Sequence, residues 1–390
     1  MLIGIVGAPN KGKSTLFSAL TLNDVGIADY PFTTIDPNKG ITYATSKCPE
    51  TELGTRCGAR NSLCQNGIRH IPVNVVDVAG LVEGAHLGKG MGNQFLNDLA
   101  ASDALMLVVD ASGKTDPGGN PCESCDASPE IRMVKGEIAD WIASIVKRHM
   151  PQISRRQDGI NALSEALTGL KVNRDEIKFA IESNGIADAR ISWSDEDTKK
   201  FADKLLEISK PMLIVANKCD VKGSEGEVSI LKSSFGEANV VAVSAAIELA
   251  LRKAEKQHMI ERAPGSKEIK ILSPSMTKEQ TDALGYMQDF IRKSDASAQG
   301  LVNHVVFNLL DDIVVYPVED ENKYTDHFGN VLPDALLMRK GSTALDLAAR
   351  IHTDIAKNML YAVDARSKMR LGKDYELKHN DVIRIVSAAR

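Results

Sequence analysis

The sequence predicts an α/β fold around a parallel β-sheet, and three observations support that prediction. Short apolar runs typical of buried parallel strands recur along the chain, at residues 2–6, 73–76 and 211–216. A glycine-rich loop follows the first run at once and leads into a helix-forming segment. Polar motifs follow the two later runs. Because open α/β sheets bind ligands beside the carboxyl ends of their strands, we expect the functional site at these three points.

The glycine-rich loop matches the pattern G-x-x-x-x-G-K-[ST], and it has the strand–loop–helix context that this pattern requires. In such a loop, backbone N–H groups surround the β-phosphate of a nucleotide, and the helix N-terminus adds positive dipole character. Lys13 reaches the β- and γ-phosphate oxygens, and the Ser14 hydroxyl binds Mg²⁺. The loop predicts a P-loop NTPase with these nucleotide-binding residues: Gly7, Ala8, Pro9, Asn10, Lys11, Gly12, Lys13, Ser14 and Thr15.

A D-x-x-G motif, residues 77–80, follows the second apolar run. The carboxylate of Asp77 can hold Mg²⁺, usually through water. The N–H of Gly80 can contact the γ-phosphate, so that this turn senses hydrolysis. The motif is weak alone, but at this distance after a P-loop it strongly indicates a nucleotide site.

An N-K-x-D motif, residues 217–220, follows the third run and predicts which base is bound. The Asp220 carboxylate can accept hydrogen bonds from guanine N1–H and the N2 amino group, both of which adenine lacks. We expect Asn217 to tie this loop to the P-loop and the Lys218 stem to cover the base. Further guanine contacts are expected from the backbone of Ser244, Ala245 and Ala246. Together the motifs predict a Ras-like G domain that binds GTP and GDP.

Two segments near these motifs carry a resemblance to a known family. Residues 29–40 (DYPFTTIDPNKG) are similar to switch I of the Obg-like GTPases, specifically of their YchF-related branch, here of archaeal type. Residues 80–96 resemble the glycine-rich switch II of that branch. The resemblance implies that Thr34 joins Mg²⁺ when GTP is bound, with Phe32 and Thr33 beside the nucleotide.

The resemblance covers most of the chain and is most specific over residues 1–112 and 313–390. The YchF proteins that accept ATP have an altered base motif, whereas Asn217, Lys218 and Asp220 are intact here. We therefore expect GTP rather than ATP.

The position that usually holds the water-positioning residue departs from the common GTPase pattern. Many GTPases have a glutamine after D-x-x-G, but Leu81 stands there and cannot form a hydrogen bond. His86 could position the water, or it is a solvated loop histidine. Asn10 could bind K⁺ near the β/γ bridge, or it caps its own loop. The residues predicted to act in catalysis are Lys13, Thr34, Gly80 and His86.

The distance between the apolar run that ends at Asp110 and the one that begins near Met212 far exceeds the roughly 30 residues of a βαβ unit. Apolar residues at helical spacing fill it, and Pro129 marks a helix start. These helices either form a partner-docking arm or pack on the G domain. The predicted domains are the G domain (1–112 and 208–265), a helical insertion (113–207), a helical connector (266–312) and a C-terminal domain (313–390).

The C-terminal domain shows strand-like runs around one helix at about 343–356, which suggests a β-grasp, ubiquitin-like module. It resembles the TGS domain at Pro333, Gly341, Ser342, Asp346, Ala348, His352 and residues 380–383. The resemblance implies contact with the ribosome or structured RNA, through this domain and the helical insertion. Four basic residues either face phosphates or lie in a solvated loop: Arg366, Lys368, Arg370 and Lys373.

The remaining composition predicts a cytoplasmic protein. No apolar stretch approaches 18 residues, residues 1–7 lack a basic leader, and the net charge of −5 gives no whole-chain basic surface. We expect no membrane or DNA partner and six cysteine thiols. The pair Cys122 and Cys125 could bind Zn²⁺, but a second close pair is missing, and His70 would have to replace it.

Three functions compete. The leading one is a Mg²⁺-dependent GTPase that hydrolyses GTP to GDP and phosphate and acts as a switch on the ribosome. The second is a nucleotide sensor or RNA-binding scaffold with only slow hydrolysis. The third is an ATPase of the YchF type.

Overall fold

The computed structural model describes residues 1–21, 38–78, 93–156, 158–185, 193–262, 266–273, 276–293 and 297–388. These residues form two compact units. The first holds the described parts of residues 1–22, 36–40 and 74–298, and the second those of residues 41–73 and 299–390. Several predicted switch residues lie outside the described residues: Phe32, Thr33, Thr34, Gly80, Leu81 and His86.

Strands and helices alternate over most of the chain up to residue 293. In order they are β1 (Leu2–Val6), α1 (Lys13–Thr21), β2 (Lys39–Lys47), β3 (Leu63–Gln65), β4 (Ile68–Asp77), α2 (Asn93–Ala101), β5 (Ala104–Asp110), α3 (Ser128–Ile153), α4 (Gly159–Ala166), α5 (Arg174–Ser183), α6 (Asp195–Ser209), β6 (Met212–Asn217), α7 (Ser224–Phe235), β7 (Val240–Ala242), α8 (Ala245–Lys256), β8 (Ile260–Glu261), β9 (Lys270–Ile271) and α9 (Lys278–Lys293).

A seven-stranded sheet has the order β2-β4-β1-β5-β6-β7, with β3 paired antiparallel to β4. The pairs β1–β4, β1–β5, β5–β6 and β6–β7 are parallel, which confirms the predicted α/β class. Strand β5 is buried along its whole length, as expected for a parallel strand covered on both faces. The P-loop follows the central strand β1.

The four helices of the predicted insertion, α3 to α6, pack on the sheet. Their apolar faces share one hydrophobic core with sheet residues such as Leu105 and Leu107. In α3, Ile131, Val134 and Ile138 are at most 2% exposed and repeat at helical spacing. Of the two alternatives that the sequence left open, packing on the G domain is therefore the one observed.

The C-terminal elements are α10 (Ala298–Asn303), β10 (Asp312–Val318), β11 (Leu336–Arg339), α11 (Ala344–Ile351), α12 (Thr353–Lys357), β12 (Met359–Asp364), β13 (Arg370–Leu371) and β14 (Asp381–Ser387). Their sheet has the order β11-β10-β14-β12-β13, and the helices α11 and α12 cover it, which is the predicted β-grasp. The single predicted helix is divided at His352, whose extended backbone ends α11 and caps α12.

Residues 41–73 belong to the same compact unit as the β-grasp domain, although the sequence assigned them to the G domain. Cys48 and Ile71 lie in one hydrophobic core with Val314, Tyr316 and Val382 of the β-grasp sheet. No sequence pattern indicates this grouping, because it depends on contacts between residues that are far apart in the chain.

The prediction of six thiols was wrong for one pair. Cys122 and Cys125 form a disulfide, since their Cα atoms are 6.3 Å apart, within the usual range for a bridge. The other four cysteines are free thiols. Among the described residues, no helix has the length and apolar character needed to cross a membrane.

Candidate functional site

The P-loop between β1 and α1 depends on two glycines. Gly7 has φ +145° and Gly12 has φ +91°, values that favour glycine. A Cβ at Gly7 would collide with the carbonyl oxygen of Val108, and one at Gly12 would collide with the amide of Asn217. The glycines therefore allow the close approach of the loop to β5 and β6.

A cavity of about 400 Å³ lies at this loop and is lined by Asn10, Gly12, Lys13, Ser14, Thr15 and Lys218. Lys13 donates from Nζ to the carbonyl oxygen of Ala8, 2.8 Å away, so that its ammonium is held by the loop itself. Burial lowers the pKa of Lys13, while the carboxylates of Asp77 and Glu130 oppose that shift.

Ser14 and Asp77, both predicted to bind Mg²⁺, lie in contact. The Ser14 hydroxyl donates to Asp77 Oδ2 over 2.7 Å, and this contact is exposed. A hydroxyl and a carboxylate are hard oxygen ligands of the kind that Mg²⁺ prefers. The pair thus has the chemistry for a Mg²⁺ site beside the P-loop.

Asn217 joins the base motif to the P-loop. Its Nδ2 donates to the carbonyl oxygen of Lys11 over 2.8 Å, and its Oδ1 accepts from the N–H of Ala245 over 2.9 Å. Ser244 caps the next helix, because its hydroxyl accepts from the N–H of Ile247. One buried amide therefore connects three predicted binding segments.

Lys218 lines the cavity, and Asp220 follows it two residues later in the same motif. The Lys218 ammonium lies 2.7 Å from Asp110 Oδ2, at the end of β5. Burial raises the pKa of Asp110, but hydrogen bonds from Lys218, Ser112 and Thr115 outweigh it, so the pKa lies below its usual range. The half-buried Asp220 carboxylate has no hydrogen bond or ion pair among the described residues, which leaves both oxygens available to a base.

The side chain of Lys11, a predicted nucleotide-binding residue, does not line the cavity. It is 1% exposed, and its ammonium donates to Thr115 and to the carbonyl of Asp116. It also lies 2.9 Å from Oε2 of the buried Glu130 on α3. Burial raises the pKa of Glu130, and the charge of Lys11 opposes that shift.

Glu130 and Asp110 are site residues that sequence reasoning missed. Glu130 also accepts the N–H of Ala8 in the P-loop over 3.3 Å, so α3 supports the loop directly. Asp110 could have been found, because a carboxylate at the end of a strand next to β1 lies at the binding edge of the sheet. Glu130 carried no such signal.

Asn10 is exposed and has φ +63°. Its Nδ2 donates over 3.0 Å to the carbonyl oxygen of Gly119, in the segment between β5 and α3. Its Oδ1 accepts no hydrogen bond from the described residues. The amide is thus anchored through its nitrogen to a segment outside the P-loop, and its oxygen is left available.

Three family models match the chain. Residues 2–148 match one described as "50S ribosome-binding GTPase", and residues 215–320 match one described as "Obg-like GTPase YGR210-like, G4 motif-containing domain". Residues 328–387 match the TGS domain.

Individual proteins are similar over most or all of the chain. A GTP-binding protein of Methanocaldococcus jannaschii is 51% identical over 394 residues, which cover 100% of both chains. A ribosome-binding ATPase YchF of Bacillus subtilis is 32% identical over 280 residues, 66% of this chain and 70% of its own. The crystal structure of a GTP-binding protein from Pyrococcus horikoshii OT3 has a TM-score of 0.80 at 38% identity, with 100% of both chains covered. The chain therefore belongs to the Obg-like family of P-loop GTPases, in the YchF-related branch, and ends in a TGS domain.

Proposed function

We propose that the protein binds GTP, hydrolyses it to GDP and phosphate with Mg²⁺, and acts as a nucleotide-dependent switch on the ribosome. The observation that carries the nucleotide part is the bridge by Asn217, which holds the base motif against the P-loop. Guanine is supported by the intact N-K-x-D motif, in which Lys218 lines the cavity and the Asp220 carboxylate has no hydrogen bond or ion pair among the described residues.

In hydrolysis, water attacks the γ-phosphorus, the bond to the β/γ bridging oxygen breaks, and GDP leaves. Lys13 lies where it can stabilise the charge that develops on the β- and γ-phosphate oxygens. Ser14 and Asp77 would hold Mg²⁺, which neutralises phosphate charge when bound. Thr34 and Gly80, from the family resemblance, would contact the γ-phosphate and release it after hydrolysis.

The first test is nucleotide titration of the full chain with GTP and ATP. We expect GTP to bind at least about 100-fold more tightly, because adenine would leave the Asp220 carboxylate without donors. Tighter binding of ATP would instead favour an ATPase of the YchF type.

The residue that positions the water is proposed to be His86, because Leu81 cannot do so. His86→Ala should lower single-turnover hydrolysis by about 100-fold and leave GTP affinity unchanged. His304→Ala, a histidine of the second unit, serves as the matched control. Unchanged hydrolysis in His86→Ala would remove this role.

Asn10 is proposed to hold K⁺ as a charge-neutralising ion near the β/γ bridge. Its free Oδ1 supports this, since an amide oxygen is a suitable hard ligand. Hydrolysis should be faster in KCl than in NaCl at equal ionic strength, and Asn10→Ala should abolish the difference. Equal rates in the two salts would contradict it.

The ribosomal part of the proposal is supported by the name of the Bacillus subtilis relative and by the TGS domain. Of the four basic residues considered above, Arg366 is paired with Glu52, and Lys368 donates to the carbonyl of Glu321. Arg370 is exposed and stacks over the ring of Tyr361 at 3.8 Å, and Lys373 is exposed. An arginine on an aromatic ring suits contact with unstacked RNA bases and phosphates.

Co-sedimentation and single-turnover hydrolysis with ribosomes test this part. Replacing Arg370 and Lys373 together by alanine should weaken ribosome binding by about tenfold at fixed salt. The control replaces Arg350 and Lys357, which removes the same charge from helices α11 and α12. If the protein does not co-sediment with ribosomes and ribosomes do not change its rate of GTP hydrolysis, the sensor function with slow hydrolysis is favoured instead.

A further inference from the structure

Three of the four free cysteines meet a glutamate in the second compact unit. The sulfur atoms of Cys48, Cys57 and Cys64 and a carboxylate oxygen of Glu50 all lie within 4.8 Å of one another. We propose that this cluster binds one Zn²⁺ through three thiolates and the Glu50 carboxylate. The proposal is independent of the nucleotide site, whose described residues lie in the other unit.

The spacing of the ligand atoms suits a single ion. Tetrahedral Zn²⁺ with Zn–S distances of about 2.3 Å places its ligand atoms roughly 3.8 Å apart, so only small side-chain shifts are needed from the observed spread. An iron–sulfur cluster would hold the thiolates farther apart, because iron atoms and bridging sulfides lie between them. Three sulfurs and one oxygen also suit Zn²⁺, a borderline-soft ion that accepts both thiolate and carboxylate ligands.

The fold brings these residues together from three short segments. Cys48 directly follows β2, and its N–H donates to the carbonyl oxygen of Gly67 over 2.8 Å. Cys64 lies on β3, opposite Arg69 on β4. The two strands are joined by the turn Asn66–Gly67, where φ is +52° and +75°, the signature of a tight hairpin. The hairpin and the end of β2 thus position two ligands by backbone pairing alone.

Glu50 is oriented by the backbone beside another ligand. Its Oε2 accepts from the N–H of Cys57 over 2.7 Å, and its Oε1 lies 3.5 Å from Cys64 Sγ. A ligating carboxylate whose second oxygen is held by a hydrogen bond is the usual arrangement around a protein-bound metal.

The charge of Arg69 supports thiolate ligands. Its guanidinium is fully buried, and Nη1 lies 2.5 Å from Cys57 Sγ. The remaining bonds go to Ser62 Oγ and to the carbonyl oxygens of Leu332 and Pro333. Among the described residues it has no carboxylate partner, and a buried cation without a counter-charge is costly. Zn²⁺ and Arg69 together offset three of the four negative charges that the ligands would carry.

The consequence is structural. Four protein ligands leave no open position, which is the pattern of a structural rather than a catalytic zinc. The ligand loop is also bonded to the β-grasp domain, because Gly58 and Arg60 donate from their N–H groups to the carbonyl oxygens of Val331 and Pro333, each over 2.8 Å. The ion would fix this loop within the second unit.

The test is the zinc content and zinc affinity of the full chain, purified under reducing conditions. We expect about one zinc per chain, and Cys57→Ser and Cys64→Ser should each weaken zinc binding at least tenfold in competition with a chromophoric chelator. Two controls should keep the affinity of the parent protein. They are Cys219→Ser, the remaining free thiol, and the double variant Cys122→Ser with Cys125→Ser.

A second measurement decides the matter if the serine variants do not fold. Co²⁺ added to the metal-free parent protein should give the intense visible bands of a tetrahedral ion and a thiolate-to-Co²⁺ charge-transfer band. Equimolar Zn²⁺ should remove both bands. The proposal is overturned if the parent protein holds no zinc and gives no such bands, if it contains iron with sulfide, or if the controls lose the metal.

Discussion

At the scale of single residues, base selection depends on the carboxylate of Asp220. In Asp220→Asn the side chain keeps one acceptor but replaces the other with a donor. We expect GTP affinity to fall about 100-fold, because the N2 amino group of guanine then faces an N–H group. Xanthosine triphosphate carries a carbonyl oxygen at that position and should bind the variant more tightly than GTP does.

Titration of both nucleotides into the parent protein and the variant measures this change. Glu225→Gln, an exposed acidic residue in the first turn of α7, controls for the loss of one negative charge nearby. GTP affinity that is the same in Asp220→Asn and Glu225→Gln would show that Asp220 does not contact the base.

The buried pair of Lys11 and Glu130 should be important for stability. Glu130→Gln leaves the Lys11 ammonium buried beside a neutral group, and we expect the free energy of unfolding to fall by about 3 kcal/mol. Both tryptophans, Trp141 and Trp193, lie in the first unit, so urea unfolding followed by tryptophan fluorescence reports on it.

Glu165→Gln serves as the matched control for Glu130→Gln. It breaks the exposed pair with Arg156, whose loss should change the free energy of unfolding by less than about 0.5 kcal/mol. Equal effects of the two substitutions would contradict a structural role for the buried pair.

Residues in local motifs could be predicted from the sequence, whereas residues that act across the fold could not. Asn217 was assigned its bridge to the P-loop because N-K-x-D has a fixed role at a strand end, and the structure has that bridge. Glu130 looked only like an acidic residue in a first helical turn. Its contacts with Ala8 and Lys11 arise because α3 packs against the P-loop, which no local pattern encodes.

At the scale of elements, the length of each helix or strand decided whether it could be predicted from the sequence. The helix α3 has 26 residues, so its apolar spacing repeats many times and is clear in the sequence. The strand β3 has three residues, too few for alternation to appear, and the hairpin at Asn66–Gly67 was missed despite its turn signal. With the hairpin missed, the meeting of Cys64 and Cys48 could not be foreseen.

The β3–β4 hairpin provides a prediction at this scale. Gly67 has φ +75°, so Gly67→Ala should destabilise the hairpin by about 1 kcal/mol and speed exchange of its amide hydrogens about fivefold. The measurement is hydrogen exchange by mass spectrometry on peptides from residues 63–77.

Gly226→Ala is the control, because Gly226 lies inside α7 with open space where a Cβ would stand. There alanine should stabilise the helix by roughly 0.5–1 kcal/mol and slow the exchange of its amides. Slower exchange in the hairpin of Gly67→Ala would show that its turn does not need glycine.

At the scale of the whole molecule, the nucleotide cavity and the cysteine cluster lie in different compact units. The P-loop cavity and both tryptophans lie in the first unit, and the cysteine cluster lies in the second. The sequence predicted the G domain and the β-grasp domain as separate modules. It did not predict that residues 41–73 belong with the β-grasp domain, because the chain enters and leaves the second unit within strands β2 and β4.

This division gives each ligand its own reporter in one unfolding experiment. GTP at 100 times its dissociation constant should stabilise the first unit by about 2.7 kcal/mol, seen as a shift of the tryptophan transition to higher urea. The second unit is followed by thiol alkylation of Cys48, Cys57 and Cys64, measured at each cysteine by mass spectrometry. Chelation of zinc should move the midpoint of this alkylation to lower urea. Cys219 lies in the first unit, so its labelling should follow the tryptophan transition. If GTP shifts only the alkylation of Cys48, Cys57 and Cys64 and leaves the tryptophan transition unchanged, the assignment of the nucleotide to the first unit is contradicted.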